Sequence, residues 1–159
     1  MRELSLPILR EIGSIARTIV ARSDVAFKAY RLQKGQFVFL TRVCENPGTN
    51  LARLSDLARV DKTTTTKAVQ KLVSLGYLDT ERDELDGRSQ RLSPTEKGLV
   101  VYDALIKEEN GLIDSCLRGF SPEEIDAVGR YAARLRENLD ELWFGLKKRK
   151  EGANGEKSE

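Results

Sequence analysis

The sequence predicts a mainly α-helical chain with one small β-hairpin. Three observations lead there. Apolar residues recur at steps of three and four over most of the chain. Between residues 77 and 93 the period shortens toward two, around Asp86-Gly87, a pair that favours tight hairpin turns. Ser-Pro-x-Glu occurs twice, at Ser93 and Ser121, each time ahead of a long helical stretch. It supplies a capping serine, a proline at the first helical position and a glutamate three residues after the serine.

The first helix carries Ile8, Ile12, Ile15 and Ile19 on one stripe, widened by Leu9, Ala16 and Val20. Pro7 suits its first turn, and its end is expected between residues 27 and 30. The second helix places Phe37, Leu40, Val43 and Cys44 on one face and closes at Pro47-Gly48. Asn50 caps a short third helix with Leu51, Leu54 and either Leu57 or Ala58 inward. Asp61 caps the fourth, whose expected buried face is Thr65, Ala68, Val69, Leu72 and Val73. Gly76 ends it in the left-handed conformation glycine tolerates best. The fifth helix starts near Ser93, with Thr95 as a competing cap, and the sixth starts at Ser121 and runs to about residue 146. Residues 148–159 have no apolar side chain beyond Ala153 and are expected to be a disordered tail.

Length and composition limit the function classes. The 159 residues are 33% charged and 40% hydrophobic, which suits one soluble globular domain or two small lobes sharing a core. No apolar run approaches the roughly 20 residues of a membrane-spanning helix. The first 20 residues place charges among their apolar positions and lack the core of a secretory signal, so a cytoplasmic location and no membrane partner are expected. Histidine is absent, which removes imidazole zinc sites, Ser–His triads and Cys–His dyads together. Glu123-Glu124 fits capping better than acid–base work. The expectation is therefore no catalytic site, no metal and no cofactor. Cys44 and Cys116 fit no metal spacing and are expected to be reduced and buried.

The stretch "DKTTTTKAVQKL" is the most informative. Threonine is a poor helix former, because its branched Cβ restricts the side chain against the preceding turn. Four in a row at a helix start need a reason. Net charge is only +2, but Arg59, Lys62, Lys67 and Lys71 face Asp61 alone across residues 59–71. Residues 79–86, "DTERDELD", hold five acids against Arg82. Two helices joined by a short turn and followed by a hairpin make a winged helix-turn-helix, whose second helix enters the DNA major groove N-terminus first. Short hydroxyl side chains there let the backbone approach, bond phosphate or base edges, and touch thymine methyls. The outward face would present Thr63, Thr64, Lys67, Gln70 and Lys71, with Lys62 at the helix start.

The stretches "YRLQKGQFVFL", "LARLSDLARVDKTTTTKAVQKLVSLGYLDTERD", "DGR" and "LSPTEKG", within residues 30–98, resemble the MarR family of bacterial transcriptional regulators. The outer helices match in length and order, without a distinctive motif. The resemblance implies one domain over residues 1–147. Residues 1–32 and 95–147 would form a homodimer interface, and residues 33–94 the winged lobe. Ile12, Ile15, Leu139, Leu142 and Trp143 are the expected shared core.

The resemblance also implies double-stranded DNA as partner and a ligand-responsive repressor acting on a palindromic operator. The family's recognition-helix pattern maps onto Thr63, Thr64, Thr66 and Lys67, and its wing pattern onto Asp86 and Arg88, with Arg88 reaching the minor groove and Asp86 holding it. Family members often bind small aromatic or anionic effectors in a cleft that would here draw on Arg17, Tyr30 and Phe37. A plainer assignment makes Phe37 core, Tyr30 interface packing and Arg17 solvated. Gln33 stands where the family often has a threonine cap, and Thr65 where it usually has valine. The family's thiol-sensing branch has its cysteine early in the first helix, and its zinc-sensing branch needs histidine. This chain has neither. The alternative from another class is a winged-helix protein-interaction module that does not bind DNA, suggested by the near-neutral charge and acidic wing base.

Overall fold

A computed structural model describes residues 4–82 and 89–155. Among these, the elements in order are α1 (Ile8–Ala26), a 3-10 turn (Lys28–Tyr30), α2 (Gln36–Glu45), α3 (Leu51–Ala58), α4 (Lys62–Ser74), β1 (Leu78–Arg82), β2 (Gln90–Pro94), α5 (Glu96–Cys116), α6 (Pro122–Asn138) and α7 (Asp140–Gly155). This is the expected mainly helical fold with a hairpin wing. The expected sixth helix is present as α6 and α7, which meet at Leu139, itself in right-handed helical conformation.

The chain divides into two compact units, residues 1–112 and 113–159, with α5 running through the boundary. The core of the first unit is built from Phe27, Leu32, Phe37, Leu40, Val43, Leu54, Leu72, Leu78, Leu92 and Leu105, all buried. Phe27 and Phe37 meet with ring centroids 5.2 Å apart at 55°, a tilted contact that suits the ring quadrupoles. Each such side chain contributes about 1.5–3 kcal/mol by leaving water.

The wing pairs β1 with β2 antiparallel, from Leu78 opposite Pro94 to Arg82 opposite Gln90. A third short partner joins it. Gly48 donates its N–H to the Leu92 carbonyl and Leu92 donates to the Thr49 carbonyl, both at 2.8 Å, which ties the wing to the α2–α3 connection.

Several expectations need correction. Thr95, not Ser93, caps α5: its Oγ1 accepts from the Gly98 N–H at 2.9 Å, while Ser93 and Pro94 belong to β2. Of the two alternatives on α3, Ala58 is borne out: it is half-buried while Leu57 is exposed, because the inner stripe of this two-turn helix runs through Leu51, Leu54, Ser55 and Ala58. Val73 is exposed for the same geometric reason, since the buried stripe of α4 is complete with Thr65, Ala68, Val69 and Leu72. Cys116 is exposed, because α5 buries nothing beyond Leu105. Cys44 is half-buried and, like Cys116, free. Where a disordered tail is expected from residue 148, the backbone stays helical through Gly155. Lysine, arginine and glutamate are good helix formers, so a helix already nucleated at Asp140 extends through them.

Candidate nucleic-acid interface

The turn between α3 and α4 is fixed by a residue the apolar pattern did not single out. Ser55 is fully buried, and its hydroxyl donates to the Val60 carbonyl at 2.5 Å. The Val60 N–H returns a bond to the Ser55 carbonyl at 3.1 Å. Between them Arg59 adopts a left-handed conformation, φ 54°, which reverses the chain within three residues. The only sequence signal was a small hydroxyl residue at a helical-inward position, four residues after Leu51.

Asp61 starts α4 in extended conformation, and its Oδ1 accepts from the Thr64 N–H at 3.0 Å. The threonines then bond back into the same turn. Thr64 Oγ1 donates to Asp61 Oδ2 at 2.9 Å, Thr65 Oγ1 to the Asp61 carbonyl at 2.9 Å and Thr66 Oγ1 to the Lys62 carbonyl at 2.8 Å. The Thr65 and Thr66 bonds satisfy those hydroxyls on the helix's own carbonyls four residues back without strengthening the helix. The Asp61 carboxylate, by contrast, caps the helix start through the Thr64 N–H. Thr65 is fully buried and satisfied, as its inward position requires.

The exposed face of α4 carries Lys62, Thr63, Thr64, Lys67 and Gln70, with Lys71 half-buried at its edge. Thr66 and Gln70 also line a groove of about 320 Å³ beside Leu51, Val69, Val73, Ser74, Thr80 and Gln90. Thr66 therefore faces the groove toward the wing strands, while Thr63, Thr64 and Lys67 face outward. Asp86 and Arg88 lie outside the described residues. Of the acids that follow α4, Glu81 sits opposite Arg91 across the ladder, so β2 supplies a cation that the linear charge count of residues 79–86 misses.

The junction of α4, wing and α5 is densely tied. Gly76 takes φ 71°, as its C-terminal position predicts. Thr95 Oγ1 donates to the Gly76 carbonyl at 2.7 Å and the Thr95 N–H to the Tyr77 carbonyl at 3.1 Å. Lys97 Nζ donates to the Leu75 carbonyl at 2.7 Å, a cation at the C-terminal end of α4, and lies 5.0 Å from the centre of the Tyr77 ring. Gly98 approaches so closely that a Cβ there would stand 2.1 Å from the Tyr77 carbonyl oxygen.

The three expected effector residues differ in placement. Phe37 is 3% exposed and belongs to the core, which leaves its ring unavailable to a ligand in the single chain. Tyr30 is half-buried against the core and its carbonyl accepts from the Tyr77 hydroxyl at 3.2 Å. Arg17 is exposed on α1. The cavity between α1 and α5, lined by Arg22, Ser23, Phe27 and Glu109 among others, has about 10 Å³, room for no more than a water. Burial, then the nearby Glu45 and Asp103 carboxylates, push the Cys44 thiol up to about 11, so it stays protonated and unreactive near neutral pH.

Helix-turn-helix, basic threonine-rich second helix and paired wing together define a winged-helix DNA-binding protein, and residues 36–98 match the winged helix DNA-binding domain. The chain is 38% identical over 141 residues to YybA, an uncharacterized HTH-type transcriptional regulator of Bacillus subtilis strain 168, covering 89% of this chain and 94% of that one. A MarR protein from Peptoclostridium difficile superposes with a TM-score of 0.87 at 45% identity, over 92% and 96% of the two chains. A putative MarR family transcriptional regulator from Listeria monocytogenes, in a structure complexed with 26mer DNA, superposes with a TM-score of 0.86 at 33% identity, over 93% and 96%. The chain belongs to the MarR family of transcriptional regulators. Among the described residues no helix is long and apolar enough to cross a membrane.

Proposed function

We propose that this chain is a cytoplasmic, homodimeric repressor that binds a palindromic operator and has no enzymatic role. The observation that carries the proposal is the outward face of α4. Thr63, Thr64 and Lys67 stand exposed at the N-terminal end of a helix held by the Ser55–Val60 turn lock. The DNA in the Listeria relative's structure supports the same reading. Exposed Ile12, Ile15, Leu139 and Leu142 support dimerisation through residues 1–32 and 95–147. A two-fold dimer would meet half-sites about one helical turn apart. Within each half-site Lys62, Lys67 and Lys71 would contact phosphate or guanine, and the wing would bring Arg88, steadied by Asp86, to the minor groove. A small aromatic or anionic effector would engage Arg17 and Tyr30 and shift the spacing of the two recognition helices.

The test is duplex selection from a randomised library, followed by salt titration on the selected operator. Binding should fall steeply with salt. Arg88→Ala should weaken it by about 1–3 kcal/mol with unchanged circular dichroism. If Lys67 meets a phosphate, Lys67→Ala should lower the salt slope by about one per contact. Failure of the parent protein to enrich any duplex would end the reading.

A further inference from the structure

Two adjacent exposed threonines at the start of α4 are not chemically equivalent. The Thr64 hydroxyl donates its single proton to Asp61 Oδ2 at 2.9 Å, and the other oxygen of that carboxylate is held by the Thr64 N–H at 3.0 Å. One carboxylate therefore grips the same residue twice. A carboxylate accepts hydrogen bonds and has none to donate, so the direction of the hydroxyl bond is fixed. Thr63, one residue earlier and also exposed, makes no side-chain hydrogen bond among the described residues. Its hydroxyl is free to rotate and to donate.

We infer that Asp61 sets the base preference of Thr64 by committing the only proton of its hydroxyl, leaving Thr64 to face the major groove as an acceptor. This rests on the proposed docking of α4 in that groove. An acceptor there pairs with the exocyclic amino group of adenine or cytosine. It is repelled by the carbonyl edges of guanine and thymine and by phosphate oxygens. The Thr64 methyl remains free for a thymine methyl on a neighbouring step. Thr63 keeps its proton available and suits a phosphate. The four-threonine run is thus divided: Thr65 satisfies the core, Thr66 bonds back beside the groove, Thr63 can donate, and Thr64 is held in one polarity. Asp61 touches no base in this scheme and acts as a positioning residue.

Asp61→Asn separates the capping role from the polarity role. Asparagine caps helices about as well as aspartate. Its Oδ1 can still accept from the Thr64 N–H, but its Nδ2 now donates to the Thr64 oxygen, which turns the hydroxyl proton outward. The experiment is selection from a randomised duplex library with the parent, Asp61→Asn and Thr64→Val, with thermal melting of each. The expected result has three parts. The parent prefers adenine or cytosine at one position per half-site. Asp61→Asn shifts that position, on the same strand, toward bases that offer an acceptor: a cytosine preference gives way to guanine or thymine, and an adenine preference broadens to include them, since adenine N7 also accepts. Thr64→Val flattens it, with every other position unchanged. Removing a negative charge will also strengthen binding to all sequences, so the readout is the base preference and not the affinity. If Asp61→Asn leaves the parent's preference intact at every position, the inference fails while DNA recognition by α4 stands. If the asparagine variant does not fold, Thr64→Val decides alone: no change at any amino-preferring position overturns the inference. If the parent selects no duplex, the docking itself is wrong and the inference falls with it.

Discussion

Helices α4 and α1 carry comparable apolar stripes and meet different fates. In α4 the inward positions Thr65, Ala68, Val69 and Leu72 are all buried within one chain. In α1 only Ser23 is buried, while Ile12 and Ile15 remain 44% and 53% exposed. The same contrast holds further along. α5 buries Gly98, Val101 and Leu105 near its start, whereas α6 buries none of its residues and Leu142 on α7 is 64% exposed. A helical stripe in a sequence says that a face seeks cover. It does not say whether the cover comes from the same chain. The central helices close their own core and hold the proposed DNA-reading face of α4 in place. The terminal helices leave apolar side chains exposed in the single chain, and the proposed dimer would cover them with a second copy.

The largest expected effect attacks the closed part of the molecule. Gly98→Ala would place a methyl 2.1 Å from the Tyr77 carbonyl oxygen, a backbone atom that already accepts from Thr95. The start of α5 would have to move away from the wing. Destabilisation of about 3 kcal/mol or more is expected, at or beyond the upper end of ordinary overpacking. Urea unfolding followed by circular dichroism measures it. A variant as stable as the parent would show that the α5–wing junction is slack, and the contrast with the terminal helices would lose its basis.

The second effect acts on the exposed stripe instead. Ile12→Asp removes an apolar side chain that is 44% exposed in the single chain, and places a charge where a partner helix would sit. If α1 is part of a dimer interface, association should weaken about 100-fold, or about 2.7 kcal/mol, by sedimentation at micromolar concentration. Helicity should be retained, because no core contact of the winged lobe is lost. A parent that sediments as a monomer, or a variant that still dimerises equally well, would remove α1 from the interface.

These two sites also show what was legible in the sequence. Helix positions, the Asp61 and Ser121 caps, the left-handed Gly76 and the hairpin were readable, because each depends on residues within a few positions of one another. The capping box at Ser121 was complete in the sequence, with Glu124 N–H donating to Ser121 Oγ and Ser121 N–H to the Glu124 carboxylate. Two Ser-Pro-x-Glu stretches nevertheless behave differently. At Ser93 the strand pairing of Ser93 with Asp79 wins, and the cap passes to Thr95. Pairing partners 14 residues apart are not visible to a local pattern. The close approach of Gly98 to Tyr77 and the opposition of Glu81 to Arg91 were missed for the same reason. The Ser55–Val60 lock spans only five positions and was missed for another reason: its acceptor is a backbone carbonyl, which residue identity does not mark. The polarity of Thr64 was missed for a finer one: sequence names a hydroxyl but not the acceptor that takes its proton.

The smallest effect tests whether the contact between α2 and α5 is tuned like the rest of the closed core. Glu109 on α5 is half-buried, and its carboxyl lies above its ordinary value of 4.5. Burial is the main cause, partly offset by Arg42, with Glu45 adding repulsion. Arg42 is itself engaged by Glu45, one turn on in α2. A carboxyl with a raised folded-state pKa holds its proton more tightly in the folded chain than in the unfolded one. Its contribution to stability is therefore present in acid and is lost as pH rises from the ordinary carboxylate value through the raised one. At neutral pH the ionised Glu109 is a small liability. Glu109→Gln removes that charge and keeps the shape. The variant should melt about 1–2 °C above the parent at pH 7, a modest fraction of what 1 kcal/mol would give in a chain of this size. The difference should close below about pH 4, where both carry a neutral side chain. Paired melts at the two pH values check it. A glutamine variant that melts lower than the parent at pH 7 would mean that the attraction of Arg42 outweighs burial, and that this contact is held by charge.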